Sequence, residues 1–185
     1  MIISPRTRII LIIVLIASGF VSMMLNLPPL VTFVQWFAAI MLIFSYLLFG
    51  SVNGALFLLK TGQVNRAEEF LIKGTYKVGW LLKSHRAYYY FTKGLIGLYK
   101  SQDNETGREL YLNDGEESLL KSLEIGLGRK QERAMAYLNL AHVAFTRKDK
   151  AKVQSYLEGL QKNKTSDLQL QKKIEEMELA LSKME

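Results

Sequence analysis

The sequence predicts an all-α protein in which a two-helix membrane hairpin precedes about three stacked helix pairs and a C-terminal capping helix. Three observations carry this expectation. Residues 9–59 contain no Asp, Glu, Lys, Arg or His, a run of 51 uncharged positions. Beyond them, small and apolar residues recur three times in the same order. The last stretch sets apolar residues at helical spacing on an otherwise charged segment. At 185 residues the chain has room for one domain or two small modules, and none for a large multidomain machine.

The spans come first. A helix rises about 1.5 Å per residue and the hydrocarbon core is about 30 Å thick, so one crossing takes about 20 apolar residues. Residues 9–27 supply 19 and residues 30–59 supply 30. Between them, Asn26-Leu27-Pro28-Pro29 removes backbone donors and pushes the residue before each proline away from helical geometry. Spans at about 9–27 and 30–49, joined by a tight turn, follow. Gly50 and Gly54 each cost only about 1 kcal/mol relative to Ala. The second helix is therefore expected to run unbroken to about residue 61, leading from a hairpin of residues 1–49 into a helical domain of residues 50–185 with no flexible stalk.

Charge sets the orientation. Arg6 and Arg8 precede the first span, Lys60, Arg66, Lys73 and Lys77 follow the second, and the turn carries none. Cytoplasmic loops are enriched in Lys and Arg, so both termini are expected in the cytoplasm, at a membrane of the bacterial inner type. If residues 1–19 were instead a cleaved signal peptide, the second span would remain as an anchor with the same orientation. The formal net charge of +7 is local: residues 60–100 hold eight bases and two acids, residues 101–185 hold 14 bases and 15 acids. With Lys83, Arg86 and Lys93 these cations form a membrane-surface collar, each worth about 1 kcal/mol near anionic lipid. Tyr88-Tyr89-Tyr90-Phe91 beside them resembles a stacking platform for nucleic acid. Three consecutive tyrosines spread around most of a helix, however, so membrane contact and packing are expected and nucleic acid is not.

The repeats follow. Ala67, Leu71 and Gly74 align with Gly115, Leu119 and Ser122, and again with Val153, Leu157 and Leu160. Each triplet lies on an amphipathic stretch preceded by another apolar-periodic segment and a short polar turn. In the last repeat Tyr137, Leu140, Ala141 and Ala144, followed by Leu157, match the helix-pair pattern, and there the chain resembles the tetratricopeptide-repeat family. Two departures stand out. Ser51 and Gly54 occupy the expected aromatic and leucine positions of the first repeat, and residues 101–114 span 14 positions where about three would suffice.

The resemblance implies an α-solenoid with a concave groove. Tyr88, Phe91, Leu95, Leu98, Leu138, Asn139, His142 and Phe145 are its candidate lining. Family members that clamp chaperone tails carry Lys and Asn on the first helix. Val52 and Leu56 stand there in this chain, which disfavours that ligand. Ser166-Asp167-Leu168-Gln169 is a candidate capping box for a terminal helix over residues 166–184, with Leu170, Ile174, Met177 and Leu181 as its apolar stripe. That helix either closes the array or docks a coiled-coil partner. The groove is either filled by it or left open to an amphipathic helix or hydrophobic peptide.

Chemistry is sparse. The chain has no cysteine, and His85 and His142 lie 57 positions apart without nearby carboxylates at ligand spacing, so neither a metal nor a cofactor is expected. Glu68-Glu69, Glu116-Glu117 and Glu175-Glu176 point about 100° apart on a helix and do not converge on a substrate atom. The expectation is a non-catalytic, membrane-anchored scaffold or assembly adaptor for a protein partner. The alternative is an accessory structural subunit of a membrane complex or oligomer, joined through small-residue faces at 19–22 or 50–54.

Overall fold

The computed structural model describes residues 5–163 and 167–182, and all regular structure among them is helical. In chain order the elements are α1 (Pro5–Met24), α2 (Pro29–Phe49), α3 (Val52–Lys60), α4 (Val64–Lys73), a 3₁₀ turn (Val78–Trp80), α5 (Lys83–Asp103), α6 (Arg108–Ile125), α7 (Lys130–Thr146), α8 (Lys150–Gln161) and α9 (Leu168–Ser182). They fall into two units, Met1–His85 and Arg86–Glu185. The first therefore holds α3 and α4 together with the hairpin.

Both α1 and α2 are long and apolar enough to cross a membrane. Only 11% and 6% of their apolar stretches are buried within the protein, the reverse of a soluble core helix. The turn between them ends α1 with Asn26 in the left-handed region at φ 49°. The Leu27 N–H returns to the Ser22 carbonyl and the Asn26 N–H to that of Met23, closing the exposed helix end. Pro29 then occupies the first turn of α2, where a missing N–H leaves no bond unmade. Across the hairpin the Trp36 indole lies over Gly19, where a Cβ has no room. The Ser22 hydroxyl donates to Gln35 Oε1 at 2.9 Å.

The second apolar helix is not continuous to residue 61. It stops at Phe49, and Gly50 takes φ 57°, a left-handed conformation that L side chains rarely adopt. The intrinsic penalty of a glycine was too small to end the helix. Tertiary contact supplies the rest: Thr75 and Leu81 close on Gly50, leaving about 3.0 Å to where a Cβ would stand, and Arg8 Nη1 donates to the Gly50 carbonyl at 3.2 Å. Val52, Ala55 and Leu59 of α3 then bury against α4, whose Phe70 ring fills the space beside Gly54.

In the second unit α5 and α6 cross at glycines. A Cβ on Gly97 would stand 3.0 Å from the Tyr111 carbonyl oxygen and 3.1 Å from Gly115 Cα. Residues 101–114 do not form a long insertion. All but residues 104–107 extend α5 and α6 by extra turns, and the Gly107 N–H donates to Asn104 Oδ1 at 3.0 Å to close the bend. Between α7 and α8 the Tyr137 ring covers Gly159. The stripe on α9 is consumed internally: Leu170 and Ile174 join Ala134, Leu138 and Leu160, while Met177 and Leu181 reach Ala141, Ala144, Val153 and Leu157. Ser166 and the Gln169 side chain lie outside the described residues. The observed cap is Asp167, whose carboxylate accepts the Leu170 N–H at 3.2 Å.

All nine residues of the aligned triplets are buried, from Ala67 to Leu160. The turn before the first and last triplets is also the same structure. At Gly62 and Lys148, 86 residues apart, the N–H groups reach Leu59 and Phe145 carbonyls, and the next N–H groups, of Gln63 and Asp149, reach Leu58 and Ala144. Gly62 has φ 76° and Lys148 φ 58°. One turn thus carries its preferred glycine and the other a side chain strained by about 1 kcal/mol. Lys148→Gly is expected to stabilise the full chain in detergent by about 1 kcal/mol and Gly62→Lys to destabilise it by about as much. Urea unfolding followed by circular dichroism checks both signs.

Candidate functional site

A cleft of about 510 Å³ opens in the second unit between α5, α7 and α9. Leu95 and Tyr99 form one wall, Met135, Leu138 and Phe145 the floor, and Leu170, Met177 and Ala180 the far wall. Asn139 and His142 on α7, with Lys173 and Glu176 on α9, add the polar groups. The volume lies within the range of ligand-binding clefts, and a mostly apolar lining with a few polar groups is their usual character. The terminal helix makes one side of this cleft without filling it.

Five of the eight residues expected in a groove line this cleft: Leu95, Leu138, Asn139, His142 and Phe145. The other three do not. Phe91 is 1% exposed in the core, and Leu98 packs on Gly115. Tyr88 donates to Glu132 Oε2 at 2.6 Å, tying α5 to α7. The neighbouring tyrosines are likewise used internally, with Tyr89 edge-on to Tyr90 and Lys121 Nζ 4.5 Å from the Tyr90 ring centre. Tyr99 and Met135 were missed by sequence reasoning, which brought the terminal helix to the groove only as its filling and did not foresee Lys173, Glu176 and Ala180 as a wall.

The cleft rests on a rigid back. Arg147, just beyond α7, donates to Glu109 at 2.7 Å, to Asn113 at 2.6 Å and to Glu116, all on α6. Lys152 of α8 approaches Glu116 at 3.9 Å. Burial, and then the charge of Glu116, push the Tyr156 phenol up from its ordinary range. Arg133 closes the other end, donating to Asn163 at 2.8 Å and to the Leu127 carbonyl at 2.6 Å. Among the described residues, no three His, Asp or Glu side chains converge as metal ligands would.

A second site is the basic end of the hairpin. Lys60, Lys77 and Lys83 are exposed, Arg66 donates to Gln63 at 2.7 Å and Lys73 pairs with Glu69 at 2.7 Å. The Arg6 side chain lies outside the described residues, and Arg86 and Lys93 belong to the second unit. Sequence reasoning overlooked the aromatic component. Tyr76 and Trp80, 68% and 51% exposed, meet at 5.7 Å, and the Leu82 N–H bonds the Leu48 carbonyl at 3.0 Å. This fixes both rings beside the end of α2. The usable signal was Tyr and Trp among lysines just after an apolar run, the composition of a membrane-interface belt. The small-residue faces, by contrast, are already occupied: Gly19 by Trp36, Ser22 by Gln35 and Gly54 by Phe70.

Compared with protein-family models, curated proteins and solved structures, the chain gives no match.

Burial, and then the hydrogen bond to Glu132, push the Tyr88 phenol up to about 12 from an ordinary 10. The folded state favours the protonated phenol, so this contribution is complete below the ordinary value and is lost as pH rises through about 12. Urea midpoints of the full chain in detergent, taken at about pH 9 and about pH 11, are expected to fall more for the wild type than for Tyr88→Phe. Equal losses would remove the Tyr88–Glu132 bond from the account.

Proposed function

We propose that this protein is a non-catalytic, membrane-anchored adaptor. In this reading α1 and α2 cross an inner membrane with both termini in the cytoplasm. The pairs α3–α4, α5–α6 and α7–α8 are tetratricopeptide-like repeats, and the cleft between α5, α7 and α9 receives an apolar segment of a protein partner. The carrying observation is that cleft, an apolar concavity with Asn139, His142, Lys173 and Glu176 around it. Side chains of a partner would bury against its floor, while the polar groups set register.

The repeat reading is supported by the nine buried triplet positions and by the same turn at Gly62 and Lys148. The use of α9 as a cap, with its stripe packed on α7 and α8, fits the need of a stacked array to close its exposed end. The rival, an accessory subunit docked through its spans, loses the small-residue faces it relied on, because the hairpin and α4 use them internally.

In-cell photo-crosslinking tests the cleft. With a photoreactive residue at the exposed position of His142, the full chain is expected to give an adduct of defined mass. Ala180→Trp should weaken that adduct at least about tenfold by filling the cleft, with helix content unchanged. An adduct indifferent to Ala180→Trp, or one formed only from lipid-facing positions such as Phe33, would overturn the adaptor reading.

A further inference from the structure

A larger cavity, of about 960 Å³, opens within the first unit at the base of the hairpin. Arg8, Ser45, Asn53 and His85 supply its polar groups, and Phe49, Phe57 and Phe70 its apolar surface. Among the described residues no carboxylate lines it. Its level is set by the helices. The 21 residues of α2 span about 31 Å, close to the hydrocarbon thickness, so Gly50 at its end comes level with the phosphate layer of a bilayer.

We propose that this cavity binds the phosphate of one anionic phospholipid, its diester held by Arg8 and Asn53 and its acyl roots lying against Phe49 and Phe57. The inference rests on the reading of the hairpin as membrane-spanning.

Three features converge on an anion that carries an apolar tail. Among the described residues Arg8 is the one cation on the wall, and its bond to the Gly50 carbonyl at 3.2 Å uses one of five N–H donors while fixing the guanidinium against the cavity. The first turn of the nine-residue α3 forms part of the wall through Asn53 and Gly54, and no side chain caps it, so the positive end of the helix dipole lies beside the cavity. Ser51 opens that turn, but its buried hydroxyl packs against Gly74 and takes no part in the site. Phe57, 54% exposed beside this polar cluster, gives a tail a surface to cover. A free inorganic anion would leave that surface wet. Burial holds His85 below its ordinary imidazole range, which leaves the positive charge of the site to Arg8.

The test is native mass spectrometry of the full chain released from detergent micelles, with added phosphatidylglycerol, phosphatidylcholine or inorganic phosphate. One phosphatidylglycerol is expected to be retained per chain, in preference to phosphatidylcholine. Arg8→Gln and Asn53→Asp are each expected to reduce retention about tenfold, and Lys130→Gln, an exposed cation of the second unit, to leave it unchanged. Asn53→Asp separates binding from folding, because an acid in the first turn of α3 favours the helix while repelling the phosphate. Equal retention of the two lipids, retention unaffected by either cavity variant, or binding of inorganic phosphate alone would overturn the site. Flotation with phosphatidylcholine vesicles separates this from the parent reading. A chain that floats without lipid selectivity loses only the headgroup site, whereas a chain that fails to float loses the membrane assignment and the site together.

Discussion

Two helices long and apolar enough to cross a bilayer set the terms for the first half of this protein. Two crossings take about 40 residues, and the chain offers 51 without a charge. The surplus, after residue 49, must find burial elsewhere. Gly50 makes that possible by turning the backbone through a conformation open to glycine, so that Val52, Ala55 and Leu59 pass from an apolar run into a protein core against α4. Arg8 from the start of α1 and Leu82 from beyond α4 both bond backbone carbonyls at the end of α2. The end of the hairpin is therefore a built structure, and Arg8, the aromatic pair and the cavity are arranged around it.

The second unit meets a different constraint. Its helices must hold an apolar cleft open, although apolar walls gain free energy by closing on one another. Rigidity is supplied from behind, by Gly94, Gly97 and Gly115 bringing α5 and α6 into backbone contact and by Arg147 binding the end of α7 to Glu109, Asn113 and Glu116. The stripe of α9 packs on α7 and α8, and its Leu170 and Met177 also line the cleft beside Lys173, Glu176 and Ala180. Binding capacity in this reading comes from residual shape between helices committed elsewhere.

Much of this was legible from local signals. The Asn26–Pro29 turn, the three triplets and the spacing of Leu170, Ile174, Met177 and Leu181 each follow from backbone chemistry or helical period, and each lies where expected. The failures share one cause, contact with residues distant in sequence. Gly50 ends a helix only because Thr75 and Leu81 close on it. Phe91 and Leu98 leave the groove because α5 is packed on more than one side, so period alone could not say which apolar face stays open. Residues 101–114 read as an insertion because nothing local marked them as helix extensions, although Asn104 and Gly107 did mark the bend. Tyr76 and Trp80 gain meaning only from the bond that fixes them beside Leu48.

The central claim is that a hairpin anchors the helical pairs to one face of a membrane. Because the chain has no cysteine, single-cysteine labelling in intact cells with a membrane-impermeant maleimide reads it directly. Asn26→Cys, at the hairpin turn, is expected to label from outside, and Lys162→Cys, at the end of α8, only after the cells are opened. Ready labelling of Lys162→Cys in intact cells, or protection of Asn26→Cys, would contradict the account.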